Sequence, residues 1–260
     1  MTSQLYILRS TNELPTAWFE QLKRRVSAHR LERIEKAYSY EKAVETLLSE
    51  LLMRVGIMAW TGLANERIEF GVGPFGKPFA KRIPTCEFSI SHTEGLIVGI
   101  WHEGPIGIDV EKVRPIDYEA ISRHYFAHDE LEYIRNTTHP AERLRRFYSL
   151  WTMKESAIKS TGQGMSASLP VINNFAGRFA VLIGGTDWRS LKPFSLTPEY
   201  QGSICGLGPE DSIACQELTI QDVIERLACD EALSYYEVRN VQQMGVRSRN
   251  GIGSYFSQGG

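Results

Sequence analysis

The chain is short of several things. Its 260 residues hold four cysteines, Cys86, Cys205, Cys215 and Cys229, and no CxxC pair. That scatter argues against a zinc site or a disulfide frame and for reduced thiols. No apolar run approaches the roughly 20 residues of a membrane-spanning helix. The opening MTSQLYILRS lacks the apolar segment of a signal peptide, so the expected location is cytoplasmic, with no membrane partner. There is no excess of one charge either. Lys and Arg number 29 against 31 Asp and Glu, and a net charge of −2 gives no bulk attraction to nucleic acid. What remains is a chain long enough for one large domain or two small ones.

The periodicity supplies an outline. Residues 16–37 are expected to be helical, with a basic set of Lys23, Arg24, Arg25, Arg30 and Arg33. That set is either a solvated face or a surface that steers an acidic partner. Residues 40–60 carry a wide apolar stripe of Leu47, Leu48, Leu51, Leu52, Val55 and Met58, the mark of a second helix. GVGPFGKP then breaks the chain. CEFSISHT alternates, placing Phe88, Ile90 and His92 on one side of a strand. GLIVGIW reads as a strand buried on both faces, and GPIGIDVE as its successor. Residues 118–136 and 140–160 return to helical patterning. RFAVLIG, FSLTPEY, GSICGLG and SIACQEL are strand-like. The Gly/Ser-rich stretch 240–260 is expected to be a poorly ordered tail.

The order helix, strands, helix, strands implies an α+β fold. The expectation is a pseudo-two-fold pair of similar α/β halves, each a small, mainly antiparallel sheet packed with a long helix. The halves would span residues 1–108 and 109–225, with 226–260 as an extension. Ligands favour such seams.

Three constellations bear chemistry. Asp109 and Glu111 in GIDVE lie two apart on a strand and so share a face. Two carboxylates so placed either reach water at a strand end or hold a hard cation such as Mg²⁺. In RFYSLWTMKESAIKS, Trp151, Glu155 and Lys159 recur every fourth residue, and Lys154 lies on the buried stripe. A lone Glu155–Lys159 pair on a surface contributes only tenths of a kcal/mol, but here it borders a Trp/Phe stripe. In the third, Lys77 in a Gly-rich turn can meet phosphate. Pro78 excludes a Walker loop, where Ser or Thr must follow the lysine. His92 is either a core residue or a phosphate partner. Together these suit a pyrophosphate-like ligand bound with Mg²⁺.

GKP, FSISHT, GIDVE and WTMKESAIK, in this order, resemble the 4′-phosphopantetheinyl transferases of the surfactin-synthetase-activating type, over roughly residues 40–220. HYFAHDELEYI, residues 124–134, is similar to the family segment that follows the metal strand. The resemblance implies transfer of 4′-phosphopantetheine from coenzyme A to a serine of apo acyl or peptidyl carrier proteins. The second product is 3′,5′-ADP. By the same resemblance Asp109, Glu111 and Glu155 bind Mg²⁺, or Mn²⁺. Glu155 is the general base, and Lys159 and Asp109 complete the catalytic set. Lys77, Pro78, Ser91, His92, Lys154 and Lys159 line the coenzyme A site, with His92 near the 3′-phosphate. Trp151 and Lys154 position their helix. Residues 114–136 touch the carrier, with Tyr118, Ile121, Tyr125 and Phe126 as apolar candidates. The length matches the long members, which are monomers.

One position departs. In AVETLLSE the family commonly carries an arginine where Glu45 stands, and that arginine is placed against the 3′-phosphate. Arg24, Arg25 and Arg30 are the candidate compensating residues. The alternatives are a coenzyme A or carrier-protein binding protein that has lost its chemistry, and a Mg²⁺-dependent phosphohydrolase, for which no motif speaks.

Overall fold

In a computed structural model of the chain, residues 1–10, 14–164, 169–175 and 177–228 are described. The chain runs β1 (Thr2–Arg9), α1 (Thr16–Leu22), a 3₁₀ turn (Lys23–Arg25), α2 (Ala28–Glu35) and α3 (Tyr40–Thr61). It continues through β2 (Phe70–Val72), β3 (Pro78–Ala80), β4 (Glu87–Thr93), β5 (Leu96–His102) and β6 (Gly107–Lys112). Then come α4 (Tyr118–Tyr125), α5 (His128–Arg135), α6 (Pro140–Thr161), β7 (Ile172–Phe175) and β8 (Arg178–Ile183). The last elements are β9 (Asp187–Thr197), β10 (Tyr200–Cys205), β11 (Ser212–Leu218) and α7 (Ile220–Ala228). Cys229 and the Gly/Ser-rich stretch 240–260 lie outside the described residues.

The architecture is α+β. One sheet has the order β11-β1-β5-β4 and a second the order β6-β10-β9-β8-β7. The two pack face to face. Leu5, Ile7, Leu96, Val98 and Ile100 of the first meet Ile108, Val110, Phe194, Leu196 and Ile204 of the second. Helix α3 covers the outer face of the first sheet, where Leu47, Leu48, Leu51 and Leu52 meet Phe88, Ile97 and Trp101. Helix α6 covers the second, with Phe147, Leu150, Met153 and Ala157 against Val181, Leu191 and Cys205. Strand β5 is buried along its whole length between α3 and the second sheet.

Each long helix has its own start and stop. Ser39 caps α3 by accepting the Lys42 N–H at 3.2 Å. Pro140 opens α6 where no intrahelical N–H is needed. Both helices end at a left-handed glycine, Gly62 (φ 71°) and Gly162 (φ 69°). At Gly107, α6 comes so near β6 that a Cβ there would lie 1.9 Å from the Ser156 carbonyl oxygen. Only glycine admits that approach.

Several expectations shift. Residues 16–37 are not one helix. The chain breaks at Val26 and Ser27, because buried Glu50 of α3 accepts the Ser27 N–H (2.7 Å) and hydroxyl (3.0 Å). Strand β1 was not foreseen, and 118–136 divides into α4 and α5 at Phe126 and Ala127. The expected boundary at 108/109 falls inside β6. Strand β11 returns to pair parallel with β1, and α7 packs on α3, so the first layer draws on both ends of the described chain.

The seam between the sheets has its own chemistry. Strands β4 and β6 are each the edge of their sheet, and edge N–H groups need partners. The hydroxyls of β4 supply them. Ser89 accepts the Ile108 N–H at 3.1 Å, Ser91 the Val110 N–H at 3.3 Å, and Thr93 the Lys112 N–H at 3.2 Å. Three hydroxyls at alternate positions thus replace a backbone ladder.

Gly107→Ala is expected to cost about 3 kcal/mol, the upper end for an overpacked core, because the obstacle is helix backbone. A urea midpoint equal to that of the unaltered protein would refute this account of the α6–β6 approach.

Candidate active site

The seam carries the titratable cluster. Asp109 and Glu111 leave β6 on the face that Gly107 presents to α6, and Glu155 and Lys159 come down from α6 one turn apart. Asp109 is buried at 4 % exposure. Its Oδ1 accepts from Lys159 Nζ at 2.7 Å and from Ser91 Oγ at 2.8 Å. Lys159 Nζ also reaches Ser91 Oγ at 2.9 Å. Asp109 Oδ2, in contrast, is buried and has no hydrogen-bond partner.

The carboxylates burden one another. Burial, then the charge on Asp109, push Glu111 up to about 7, with Glu155 adding to the rise and Lys159 opposing it. Burial and Asp109 also push Glu155 above the usual glutamate value, again against Lys159. When all three are ionised, one ammonium faces three negative charges. A divalent cation is the complement of what is left.

Among the described residues no three His, Cys, Asp or Glu side chains form a ready metal cage. Mg²⁺ does not ask for one. Beside carboxylates it takes water and substrate phosphate oxygens to complete its shell. Hard oxygen donors, and a buried oxygen of Asp109 with no partner, fit such an ion.

The remaining candidates fall into three places. Lys77 and Pro78 line a cleft of about 370 Å³ with Glu87, Ser160 and Arg189. It sits at the Gly107 end of β6, where Lys77 Nζ bonds the Ile106 carbonyl at 3.2 Å and approaches Glu87 at 3.4 Å. Burial pulls the Lys77 ammonium below its ordinary value. The Gly-rich turn is a β2–β3 hairpin that bonds itself, Gly73 N–H to Lys77 and Gly76 N–H to Gly73. Those two N–H groups are therefore not a phosphate cradle.

His92 is not a core residue. It shares its strand face with Phe88 but stands at the rim, with a side chain 41 % exposed. Its Nδ1 lies 3.3 Å from Glu45 Oε1. Burial lowers its pKa, Glu45 raises it, and Lys42 and Lys159 lower it. Lys42 also pairs with Glu45, three residues along α3. The basic residue beside Glu45 is thus Lys42, which the sequence reading missed. Arg25 pairs with Glu66 and Arg30 with Glu50.

Lys154 is placed away from the cluster. Its buried ammonium meets Glu130 (2.7 Å), the Pro170 carbonyl (2.6 Å) and the Phe126 ring. Glu130 also accepts the N–H groups of Ala127 and Ile172. This network ties α5 and β7 to α6, so the expected contact of Lys154 with coenzyme A gives way to an anchoring one. Phe126, expected at the carrier surface, is instead buried against Phe147. Tyr125 is exposed and meets Trp151 edge-on at 6.2 Å.

Comparison with known proteins decides the family. The profile of the 4′-phosphopantetheinyl transferase superfamily matches residues 105–205, which include β6, α6 and β10. The chain is 34 % identical to 4′-phosphopantetheinyl transferase psf-1 of Bacillus pumilus over 216 residues, covering 80 % of this chain and 90 % of that one. The chain belongs to the 4′-phosphopantetheinyl transferase family. Another member, Sfp of Bacillus subtilis (strain 168), is 32 % identical over 71 % of this chain and 84 % of its own. A third transferase, gsp of Aneurinibacillus migulanus, is 30 % identical over 62 % and 67 %.

The shifted carboxylates of this transferase predict a pH dependence. Glu111 binds its proton more tightly folded than unfolded. Its stabilising share is therefore complete below the unfolded value near 4.5 and is lost as pH rises through about 7. The melting temperature of metal-free protein should fall between pH 5 and pH 8, and Glu111→Gln should flatten that fall. An unchanged slope in the variant would show that other groups carry it.

Proposed function

We propose that this transferase moves 4′-phosphopantetheine from coenzyme A to a serine hydroxyl of an apo acyl or peptidyl carrier protein, releasing 3′,5′-ADP. The observation that carries the site reading is the buried, partnerless Oδ2 of Asp109, set among raised carboxylates and one lysine.

Asp109, Glu111 and Glu155 would hold Mg²⁺, or Mn²⁺, which when bound neutralises pyrophosphate charge. The rest is assigned to the chain's own groups. Glu155 takes the proton of the carrier serine. The serine oxygen attacks the phosphorus bearing the pantetheine. The P–O bond to the nucleotide breaks, and its electron pair leaves with 3′,5′-ADP. Lys159 meets the charge that spreads over the phosphate oxygens. Asp109 holds Lys159 in place. Lys77, Pro78, Ser91 and His92 are assigned to the coenzyme A site, with the 3′-phosphate beside His92 and Glu45.

The similar layers, each a sheet under a 22-residue helix, support a pseudo-two-fold reading; the proposed halves 1–108 and 109–225 depart from the layers at β6, β11 and α7. We read the protein as a cytoplasmic monomer. No helix among the described residues is long and apolar enough to cross a membrane. Tyr125 and its neighbours on α4 are the proposed carrier surface.

The test is intact-mass spectrometry of an apo peptidyl carrier protein incubated with the protein, coenzyme A and Mg²⁺, with EDTA as control. The carrier should gain one phosphopantetheine, and only with metal. Coenzyme A binding without any mass gain, across acyl and peptidyl carriers, would instead indicate a binding protein. Glu155→Gln should fold and lose about 10²–10⁴ in rate; near-full activity would remove the base assignment. Glu45→Gln should tighten coenzyme A binding in calorimetry, and an unchanged affinity would place the 3′-phosphate away from Glu45.

A further inference from the structure

The seam and the carboxylates share two hydroxyls. Ser91 Oγ accepts the Val110 N–H and donates its own proton to Asp109 Oδ1. Two residues on, Thr93 Oγ1 accepts the Lys112 N–H, next to Glu111. The seam bond repeats: Ser91 and Thr93 each take the N–H of the residue after a carboxylate, and Ser91 gives its proton to that carboxylate. A hydroxyl has one proton and two lone pairs. At Ser91 the Val110 N–H and Lys159 Nζ occupy both lone pairs, so the direction left for the proton is set toward Asp109. The partner strand and Lys159 together determine how that carboxylate turns.

The effect is plainest at Asp109. Its Oδ1 has two donors, Ser91 and Lys159, and Oδ2 has none. Rotating the carboxylate would break both bonds to Oδ1, so Oδ2 stays bare. Ser89 makes the same seam bond, to Ile108, but is bonded to neither carboxylate. It is a built-in comparison.

We propose that Ser91 and Thr93 are positioning residues that orient Asp109 and Glu111 for a divalent cation, so that docking of the two sheets and completion of the cation site are one event. Ser91 then acts through a carboxylate in addition to bordering the coenzyme A site. The inference rests on the cation reading given above. In metal sites the partners of ligating groups typically govern affinity by about 10–100-fold.

The experiment titrates Mn²⁺ into the full chain, with and without coenzyme A, by calorimetry and electron paramagnetic resonance. The variants are Ser91→Ala, Thr93→Val and Ser89→Ala, each checked by its melting temperature. Ser91→Ala and Thr93→Val should weaken Mn²⁺ binding about tenfold or more. Ser89→Ala should leave it within about twofold. Ser91→Thr and Thr93→Ser, which keep the hydroxyl, should restore binding. If Ser91→Ala does not fold, Thr93→Val and the two hydroxyl-retaining variants still decide the matter. Wild-type affinity in both Ser91→Ala and Thr93→Val overturns the proposal. Equal weakening in Ser89→Ala also overturns it, because the effect then belongs to seam stability alone. A wild-type protein that takes up no Mn²⁺ in either condition fails differently: it removes the cation reading itself, and this proposal with it.

Discussion

Two sheet edges that cannot pair through their backbones meet in this protein, and three hydroxyls join them. Strand β4 lends Ser89, Ser91 and Thr93 to the N–H groups of β6. Hydrogen bonds of this kind contribute only about 1 kcal/mol each. Their effect on geometry is larger. They set the spacing between the layers under α3 and α6, and the reactive groups stand at that junction. Asp109, Glu111, Glu155 and Lys159 come from the second layer, while Ser91, Thr93 and His92 come from the first. Neither layer alone contains the site.

The electrostatics follow from that junction. Carboxylates withdrawn from water beside one another resist ionisation, which is why Glu111 rises to about 7. Such an arrangement is costly to a metal-free protein and is of use when positive charge arrives. Perturbed groups gathered in a seam are a common sign of function. Two other buried acids are balanced at once: Glu50 is satisfied by Ser27, Arg30 and Arg54, and Glu130 by Lys154 and two N–H groups. The contrast between these closed networks and the open carboxylates of the seam separates scaffold from site.

Much of this was legible in the sequence. Helices α3 and α6 declared themselves by apolar stripes. Strands β4, β5 and β6 were readable from alternation and from an unbroken apolar run. Asp109 and Glu111, and Glu155 and Lys159, were readable because each pair lies on a single element, where spacing alone places residues on one face. What was illegible depends on partners far along the chain. Strand β1 is buried on both faces at most positions, so it shows no alternation, and its partner β11 lies some 210 residues away. The stripe of α6 correctly buried Lys154, but nothing in the stripe could name Glu130. Thr93 looked like one more polar residue at a strand end, and Lys42 like a charge on a helix start.

The return of β11 to β1 bears on how the molecule is made. Seven residue pairs join Thr2–Leu8 to Ser212–Leu218, and the Met1 amine reaches Asp211 at 3.1 Å. Strand β1 leaves the ribosome well before its partner β11. Contacts of such sequence separation slow folding and delay the reward for loop closure. The first layer therefore cannot complete itself during synthesis as an independent N-terminal domain would. Until β11 arrives, one edge of β1 remains open to other strands. Synthesis rate and chaperone access, and not equilibrium stability alone, should then govern the yield of folded protein in a foreign host.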